Sequence, residues 1–323
     1  LGYLVGTDEA GYGPNLGPLV VSATVWEVPD GFDCAELRQR LLGVVVATPG
    51  QIPPHGPPVL AIGDSKTLYQ SGKGLGHLER GLWAAMALLD RRPNTWRQVW
   101  ELLAPDDLAP EEMRPWHAGY DRPAPLDADP RQFAPAAEAL RERLALHGIR
   151  LVGLRSRALF PCRFNQAVDA SGSKGSTLSN LTLDLIANML TPCLRGPISV
   201  ICDKHGGRNR YESLLFQHFP QSLIEVREER RDVSRYQFGP PERRIEFCFQ
   251  AKAECHLPTA LASMASKYLR ELAMHAWNEF WCTRIDGLAP TAGYPVDARR
   301  FLQAIAGLQR ELGIDDDVIW RRK

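Results

Sequence analysis

No stretch of this 323-residue sequence approaches the ~18 consecutive apolar residues that a bilayer-spanning helix requires. The most apolar runs, Leu41–Ala47 and Leu19–Trp26, are short or interrupted, so no membrane span is expected. The chain opens at Leu1 without a basic region followed by an apolar core, and no signal peptide is read there. Net charge is missing as well, because 38 Lys and Arg stand against 38 Asp and Glu. That balance excludes a protein that coats nucleic acid or anionic membrane by bulk charge, so a polyanion would have to be held by a local patch. Paired cysteines are also lacking. The seven thiols, at 34, 162, 193, 202, 248, 255 and 282, contain no C-x-x-C pair, which removes a disulfide framework and a zinc site. Reduced thiols in a cytoplasm, and a monomer, are the expected setting. Apolar residues, at 44%, are plentiful enough to offset chain entropy, which excludes disorder over most of the chain. The length suits about two domains, or one large domain with insertions.

The apolar pattern predicts two strands, Gly2–Thr7 and Pro18–Val28, joined by a Gly/Pro-rich turn as an antiparallel pair. Helical spacing appears over 72–92, Ala136–His147, Leu178–Leu190, Pro258–Trp281 and Val296–Leu312. Further strands are read at Ile149–Arg155, Ile198–Cys202, Ser222–Val226 and Arg244–Phe249. The charged stretch Arg227–Arg244 is read as a surface ion-pair strip. Ala104–Pro135 is Pro-rich, acidic and aperiodic, and reads as an insertion or lid on the surface. A hairpin followed by alternating strands and helices predicts an α/β fold with a mixed sheet flanked by helices. The expected division is a catalytic unit over 1–285, with the 104–135 insertion, and a C-terminal helical extension over 286–323.

Chemistry is concentrated in acids placed where strands stop. Asp8-Glu9 follows the first strand, Asp203 ends Ile198–Cys202, and Glu254 stands just ahead of the long helix. If such ends converge on one sheet edge, the carboxylates repel one another unless a cation neutralises them. Hard oxygen donors without His or Cys suit Mg2+ or Mn2+. Two such ions about 4 Å apart can activate a water and steady the leaving oxygen of a phosphodiester. A plainer reading, helix caps and solvated turn residues, stands beside this one, most of all for Glu254.

The blocks around these acids resemble a known family. Gly6-Thr7-Asp8-Glu9-Ala10-Gly11-Tyr12-Gly13-Pro14, followed by Gly17-Pro18-Leu19-Val20-Val21, resembles the opening signature of the type 2 ribonucleases H, HII and HIII. Ile62-Gly63-Asp64-Ser65-Lys66-Thr67-Leu68 looks like the family's Asp-Ser-Lys segment, and Asp203 takes the place of its third acid. Lys252-Ala253-Glu254, with Ala262-Ser263-Met264-Ala265-Ser266-Lys267, is similar to the fourth-acid helix entry, where Glu is the HIII choice. Ala292-Gly293-Tyr294 resembles the C-terminal Gly-Tyr segment of HII. The resemblance implies an RNase H-like fold and metal-dependent cleavage of the RNA strand of RNA–DNA hybrids, or 5′ to ribonucleotides embedded in duplex DNA. It implies 5′-phosphate and 3′-hydroxyl products. It further implies that Asp8, Glu9, Asp203 and Glu254 hold Mg2+ or Mn2+, two ions once substrate is bound. The backbone of Gly11-Tyr12-Gly13 would lie on the ribose 2′-hydroxyl. Ser65 and Lys66 would sit by a substrate phosphate, and Tyr294 at the RNA–DNA junction.

Departures from the pattern set the remaining expectations. Tyr12 stands where HII enzymes carry Arg, which removes a phosphate contact but leaves the backbone able to read the sugar. Because the first block starts at residue 6, grip on the duplex would fall to the 104–135 segment, the C-terminal helix or a partner. Lys204, Arg208 and Arg210, following Asp203, form a local basic cluster suited to phosphate. A solvated loop is the other reading of it. His205 could assist proton transfer, although a loop His is commonly structural. Trp116 and Tyr120 offer either stacking surfaces for nucleic acid or pins for their own loop. Two further functions stay open: an RNase H-fold nucleic-acid-binding protein with weakened catalysis, and a related nuclease for branched DNA.

Overall fold

The computed structural model describes residues 1–69, 74–108, 114–190 and 195–322. In chain order the elements are β1 (Gly2–Ala10), β2 (Leu19–Val28), α1 (Cys34–Arg40), β3 (Val45–Val46), β4 (Leu60–Ala61), α2 (Ser65–Leu68), α3 (Gly76–Leu88) and α4 (Trp96–Leu103). They continue with α5 (Pro130–Leu146), β5 (Arg150–Leu159), α6 (Pro161–Ser171), α7 (Lys174–Met189), β6 (Ile198–Asp203), α8 (Glu212–His218), β7 (Glu225–Glu229) and β8 (Val233–Phe238). Last come β9 (Ile245–Gln250), α9 (Leu257–Cys282), α10 (Pro295–Glu311) and α11 (Asp316–Ile319). Seven strands form one mixed sheet in the order β5-β2-β1-β6-β9-β8-β7, while β3 and β4 pair separately. The parallel centre, β1 on β6 and β6 on β9, is bordered by antiparallel strands on both sides. The α/β class with a mixed, helix-flanked sheet is therefore what the sequence led one to expect.

The central strands β1, β2 and β6 are buried on both faces, which explains their near-continuous apolarity. Leu4 and Trp26 join a large cluster with α3, α5 and α9, whereas Tyr3, Val5 and Val25 face a second cluster with Val200, Tyr211 and Phe249. The alternation is the two-residue period of a strand. Helix α9 lies so close to the sheet that a Cβ at Gly6 would stand 2.2 Å from the Thr259 amide nitrogen. Only glycine allows that approach, and it brings the N-terminal end of α9 next to the end of β1.

Several boundaries differ from expectation. β1 runs on to Ala10, so Asp8 and Glu9 lie inside the strand, paired opposite Ser22 and Val21. β8 was not foreseen, although Ser234, Tyr236 and Phe238 are buried in alternation with more accessible Arg235 and Gln237. Polar Arg235 and Gln237 at the accessible positions hid that period in the ion-pair strip, and the ion pairs are real: Arg227–Glu225, Arg230–Glu228 and Arg235–Glu228. Residues 72 and 73 of the expected 72–92 helix lie outside the described residues, and α3 begins at Gly76.

The 104–135 segment requires a larger correction, because it is anchored in the core through Asp107, Trp116, His117, Ala124 and Ala128 rather than merely laid on the surface. Trp116 is 4% exposed, with its ring 4.5 Å from Trp277 of α9, and His117 packs on Trp96 and Phe160. Two buried acids fasten the segment. Glu79 of α3 accepts the amides of Leu126, Asp127 and Ala128 and the Tyr268 hydroxyl, at 2.5–2.9 Å. Asp107 accepts the Ala158 amide at 2.7 Å and pairs with Arg157. The segment's end is helical: Asp129 caps α5 six residues before the expected start, and Pro135 sits inside the helix. Trp116 is thus a pin for its own loop. Among the described residues, no helix is long and apolar enough to cross a membrane.

Candidate active site

Three pieces of chain bring the four acids to one edge of the sheet. The adjacent parallel strands β1 and β6 end side by side and carry Asp8, Glu9 and Asp203. Beyond β9 the chain turns through Lys252, whose φ of 60° lies in the left-handed region that costs a non-glycine residue about 1 kcal/mol or more. This turn lets the Ala253 amide reach Asp203 Oδ1 at 3.3 Å and places Glu254 in a short 3-10 turn ahead of α9. Helix α9 supplies the floor. Ser263 donates to Asp8 and has Ser65 Oγ within hydrogen-bond distance at 3.0 Å, and Ser266 Oγ donates to the Asp8 carbonyl at 2.9 Å.

All four residues are intermediate in exposure, and their carboxyls are surrounded mainly by protein. Burial, then Glu9, push Asp8 well above the usual carboxylate range. Burial, then the charge on Asp203, push Glu9 up to about 7, against the pull of Lys66. Asp203 and Glu254 are raised too, chiefly by burial. Burial alone would lower Lys66, but Asp64, Asp8, Glu254 and Glu9 outweigh it and raise its ammonium. The sequence-derived acids and Lys66 therefore form one electrostatic neighbourhood.

The donor set fits a hard divalent cation in its chemistry. It is entirely oxygen, its like charges destabilise one another, and Glu254 Oε2 is buried without a hydrogen-bond partner among the described residues. The side chains are not closed into a cage: no group of three or more His, Cys, Asp or Glu among the described residues stands close enough to enclose a metal.

The glycine loop, residues 11–18, is held against this edge by a buried arginine. Arg270 of α9 donates to the carbonyls of Pro18, Leu16 and Ala292 at 2.8–3.1 Å. Gly11 adopts φ +87°, and a Cβ there would meet the Pro18 carbonyl oxygen at 2.5 Å, so glycine is required. The Asn15 and Leu16 amides donate to the Gly293 carbonyl, which brings Tyr294, 58% exposed, to within 3.8 Å of where a Gly13 side chain would start. Tyr12 lies toward the loop after β6, where a Cβ at Gly206 would come within 3.0 Å of its hydroxyl. Among the described residues, the Tyr12 and Gly13 amides donate to no acceptor.

The basic cluster divides. Arg208 is half-buried and donates to Ser176 Oγ at 3.1 Å, with its Nε unpartnered among the described residues. Lys204 instead directs its ammonium to the Arg208 and Arg230 carbonyls, Asn209 Oδ1 and Ser234 Oγ. That ammonium ties the loop after β6 to β8. His205 is buried against Ser179 Oγ, and burial lowers its pKa to about 3, so it serves as a neutral structural side chain. Ser263, Ser266 and Arg270 escaped the sequence reading as site residues. Their i, i+3, i+7 spacing on α9 was the available signal.

No family model matches the chain, and no curated protein matches it. Solved structures align over nearly all of it. Ribonuclease HII from Archaeoglobus fulgidus, in its PCNA complex, shares 16% identity over 99% of this chain and 94% of its own, with a TM-score of 0.46. Ribonuclease H2 from Pyrococcus horikoshii OT3 shares 13% over 98% and 92%, with a TM-score of 0.46. Bst-RNase HIII in complex with Mn2+ shares 14% over 99% of this chain and 65% of its own, at 0.41. These are distant likenesses, and the functional case rests on the side chains.

Proposed function

We propose that this chain is a divalent-metal-dependent endonuclease of the RNase H type 2 kind. It cuts the RNA strand of RNA–DNA hybrids, or 5′ to a ribonucleotide embedded in duplex DNA. One observation carries the reading. Four mutually repelling carboxylates and Lys66 share one sheet edge with a loop whose Tyr12 and Gly13 amides donate to no described residue. A purely structural acid is held by donors without a cluster of like charges around it, as Glu79 is.

Asp8, Glu9, Asp203 and Glu254 would hold Mg2+ or Mn2+. Bound there, such a cation neutralises charge at the scissile phosphate and acidifies the attacking water. The remaining roles belong to the chain. Ser263 and Ser266 hold Asp8 by its carboxyl and its carbonyl, and the Lys252 turn holds Asp203. Lys66, with Ser65 at its back, faces a phosphate oxygen, and Arg208 takes a second phosphate along the strand. The Tyr12 and Gly13 amides meet the ribose 2′-hydroxyl, and Tyr294 packs on a neighbouring sugar or base. Water attacks phosphorus, the bond to the 3′ oxygen breaks, and the products carry a 5′-phosphate and a 3′-hydroxyl.

The test uses duplex DNA with a single ribonucleotide and, separately, a long hybrid, each in Mg2+ or Mn2+. Cleavage 5′ to the ribonucleotide that disappears in Asp8→Asn is the expected result. Binding without metal-dependent cleavage would overturn the catalytic reading, and activity confined to branched all-DNA would redirect it.

A further inference from the structure

The last residues of the chain reach beneath the glycine loop. Arg321 is 0% exposed, and its Nη2 donates to the Gly11 carbonyl at 2.5 Å and to the Pro14 carbonyl. Two asparagines clip its backbone in place from either side. Asn15 accepts at its carbonyl from the Arg321 amide at 2.8 Å and donates through Nδ2 to the Arg321 carbonyl at 3.0 Å. Asn165 of α6 donates to the Trp320 carbonyl at 2.9 Å and accepts the Arg322 amide at 2.8 Å. The guanidinium also lies over the Phe164 ring, 4.5 Å from its centroid.

Stability alone does not account for this arrangement. Nε and Nη1 of Arg321 are buried without partners among the described residues, and a half-satisfied buried cation costs several kcal/mol. An apolar side chain would fill the same space at lower cost. Buried groups that break a local rule in this way concentrate where a site must be held in one geometry. What Arg321 holds is a peptide plane. In a trans peptide the carbonyl and the following N–H point in opposite directions. With the Gly11 oxygen drawn down to Arg321, the Tyr12 N–H faces the other way, and it is one of the two loop amides that donate to no described residue.

We propose that Arg321 is a positioning residue. It fixes the Gly11–Tyr12 peptide so that the loop presents its amide to the ribose, and the C-terminal segment thereby sets discrimination of ribonucleotide from deoxyribonucleotide. The proposal rests on the ribonuclease reading for the identity of what the loop meets. Its geometric half, the control of the loop by Arg321, stands on the hydrogen bonds alone.

The experiment compares the full chain with Arg321→Met, Arg321→Lys, Asn165→Ala and Arg322→Ala. Two quantities are read: amide hydrogen exchange without substrate at Asn15 and Leu16, the loop amides that donate to the Gly293 carbonyl, and kcat and KM on the single-ribonucleotide duplex. In Arg321→Met, exchange at these two amides is expected to rise about tenfold or more. Its kcat falls roughly 10- to 100-fold, as misplacement by about 1 Å does, with KM and melting temperature nearly unchanged. Arg321→Lys recovers part of kcat, because an ammonium can still reach one carbonyl. Asn165→Ala, which frees the tail while keeping Arg321, moves both readouts the same way by less and guards against misfolding of the Met variant. Arg322→Ala, altered only at its surface ion pairs, behaves as wild type. Wild-type exchange and kcat in Arg321→Met would overturn the proposal, as would a loss of kcat matched by a general loss of stability. If the wild type cleaves no ribonucleotide substrate, the ribonuclease reading has failed, and exchange at Asn15 and Leu16 still decides whether Arg321 governs the loop.

Discussion

Two sets of buried acids in this molecule have opposite characters. Glu79 and Asp107, which fasten the 104–135 segment, are surrounded by donors: three amides and a tyrosine hydroxyl for the first, an amide and an arginine for the second. Asp8, Glu9 and Glu254 have one or two donors each, Asp203 accepts the Ala253, Lys204 and Lys252 amides, and yet all four have one another as neighbours and every one is shifted upward. Burial of an acid therefore says little about function. What separates a fastening from a site is whether the protein itself supplies the compensating charge and hydrogen bonds.

The largest effect expected from breaking this contrast is at Asp8. Asp8→Asn should lower metal-dependent cleavage by about 10³-fold or more, about 4 kcal/mol of transition-state stabilisation. The melting temperature of the metal-free protein should hold or rise, because a repelling charge has gone. Glu79→Ala should do the reverse. It orphans three amides, and urea titration should show a loss of about 3–5 kcal/mol, while the folded fraction cleaves at close to the wild-type rate.

A third experiment separates the two sets by pH. Carboxyls whose folded pKa is raised favour the folded state when protonated. Their contribution is full below the unfolded range near 4 and is lost as pH rises through the folded values, about 7 for Glu9. In EDTA the melting temperature should thus fall between pH 5 and pH 8, and Mg2+ should raise it more at pH 8 than at pH 5. Equal shifts at both pH values would count against a metal site built from these acids. The smallest effect concerns the basic cluster. Arg208→Ala should reduce the slope of log binding constant against log salt by about one, as removal of a phosphate contact does. Lys204→Met should leave that slope unchanged and cost about 1–2 kcal/mol of stability, since its ammonium serves the loop after β6.

Much of the fold was legible because strand and helix periods are local. The β1–β2 hairpin and the long helix α9 could be read from a few neighbouring residues each. β8 was missed because arginine and glutamine occupied its accessible positions and concealed the buried alternation. The 104–135 segment misled for a different reason. Proline and acid usually mark surface, and nothing near Trp116 in the sequence shows that Trp277 will cover it. The four acids were legible from their places at strand ends. Lys204 and Arg208, two similar cations four residues apart, were not distinguishable, since their difference lies in acceptors contributed by β8 and α7.

The sequence by itself determined the strand and helix order, the glycines that allow close approach, and the acids that the strands carry to one edge. Tertiary structure alone decided which acids are left facing one another's charge, which aromatics are covered, and that a C-terminal arginine reaches beneath a loop near the N-terminus. The physical reason is range. Periodicity and capping are settled within a few residues, whereas burial and partnership are settled by segments that meet only after the chain has folded.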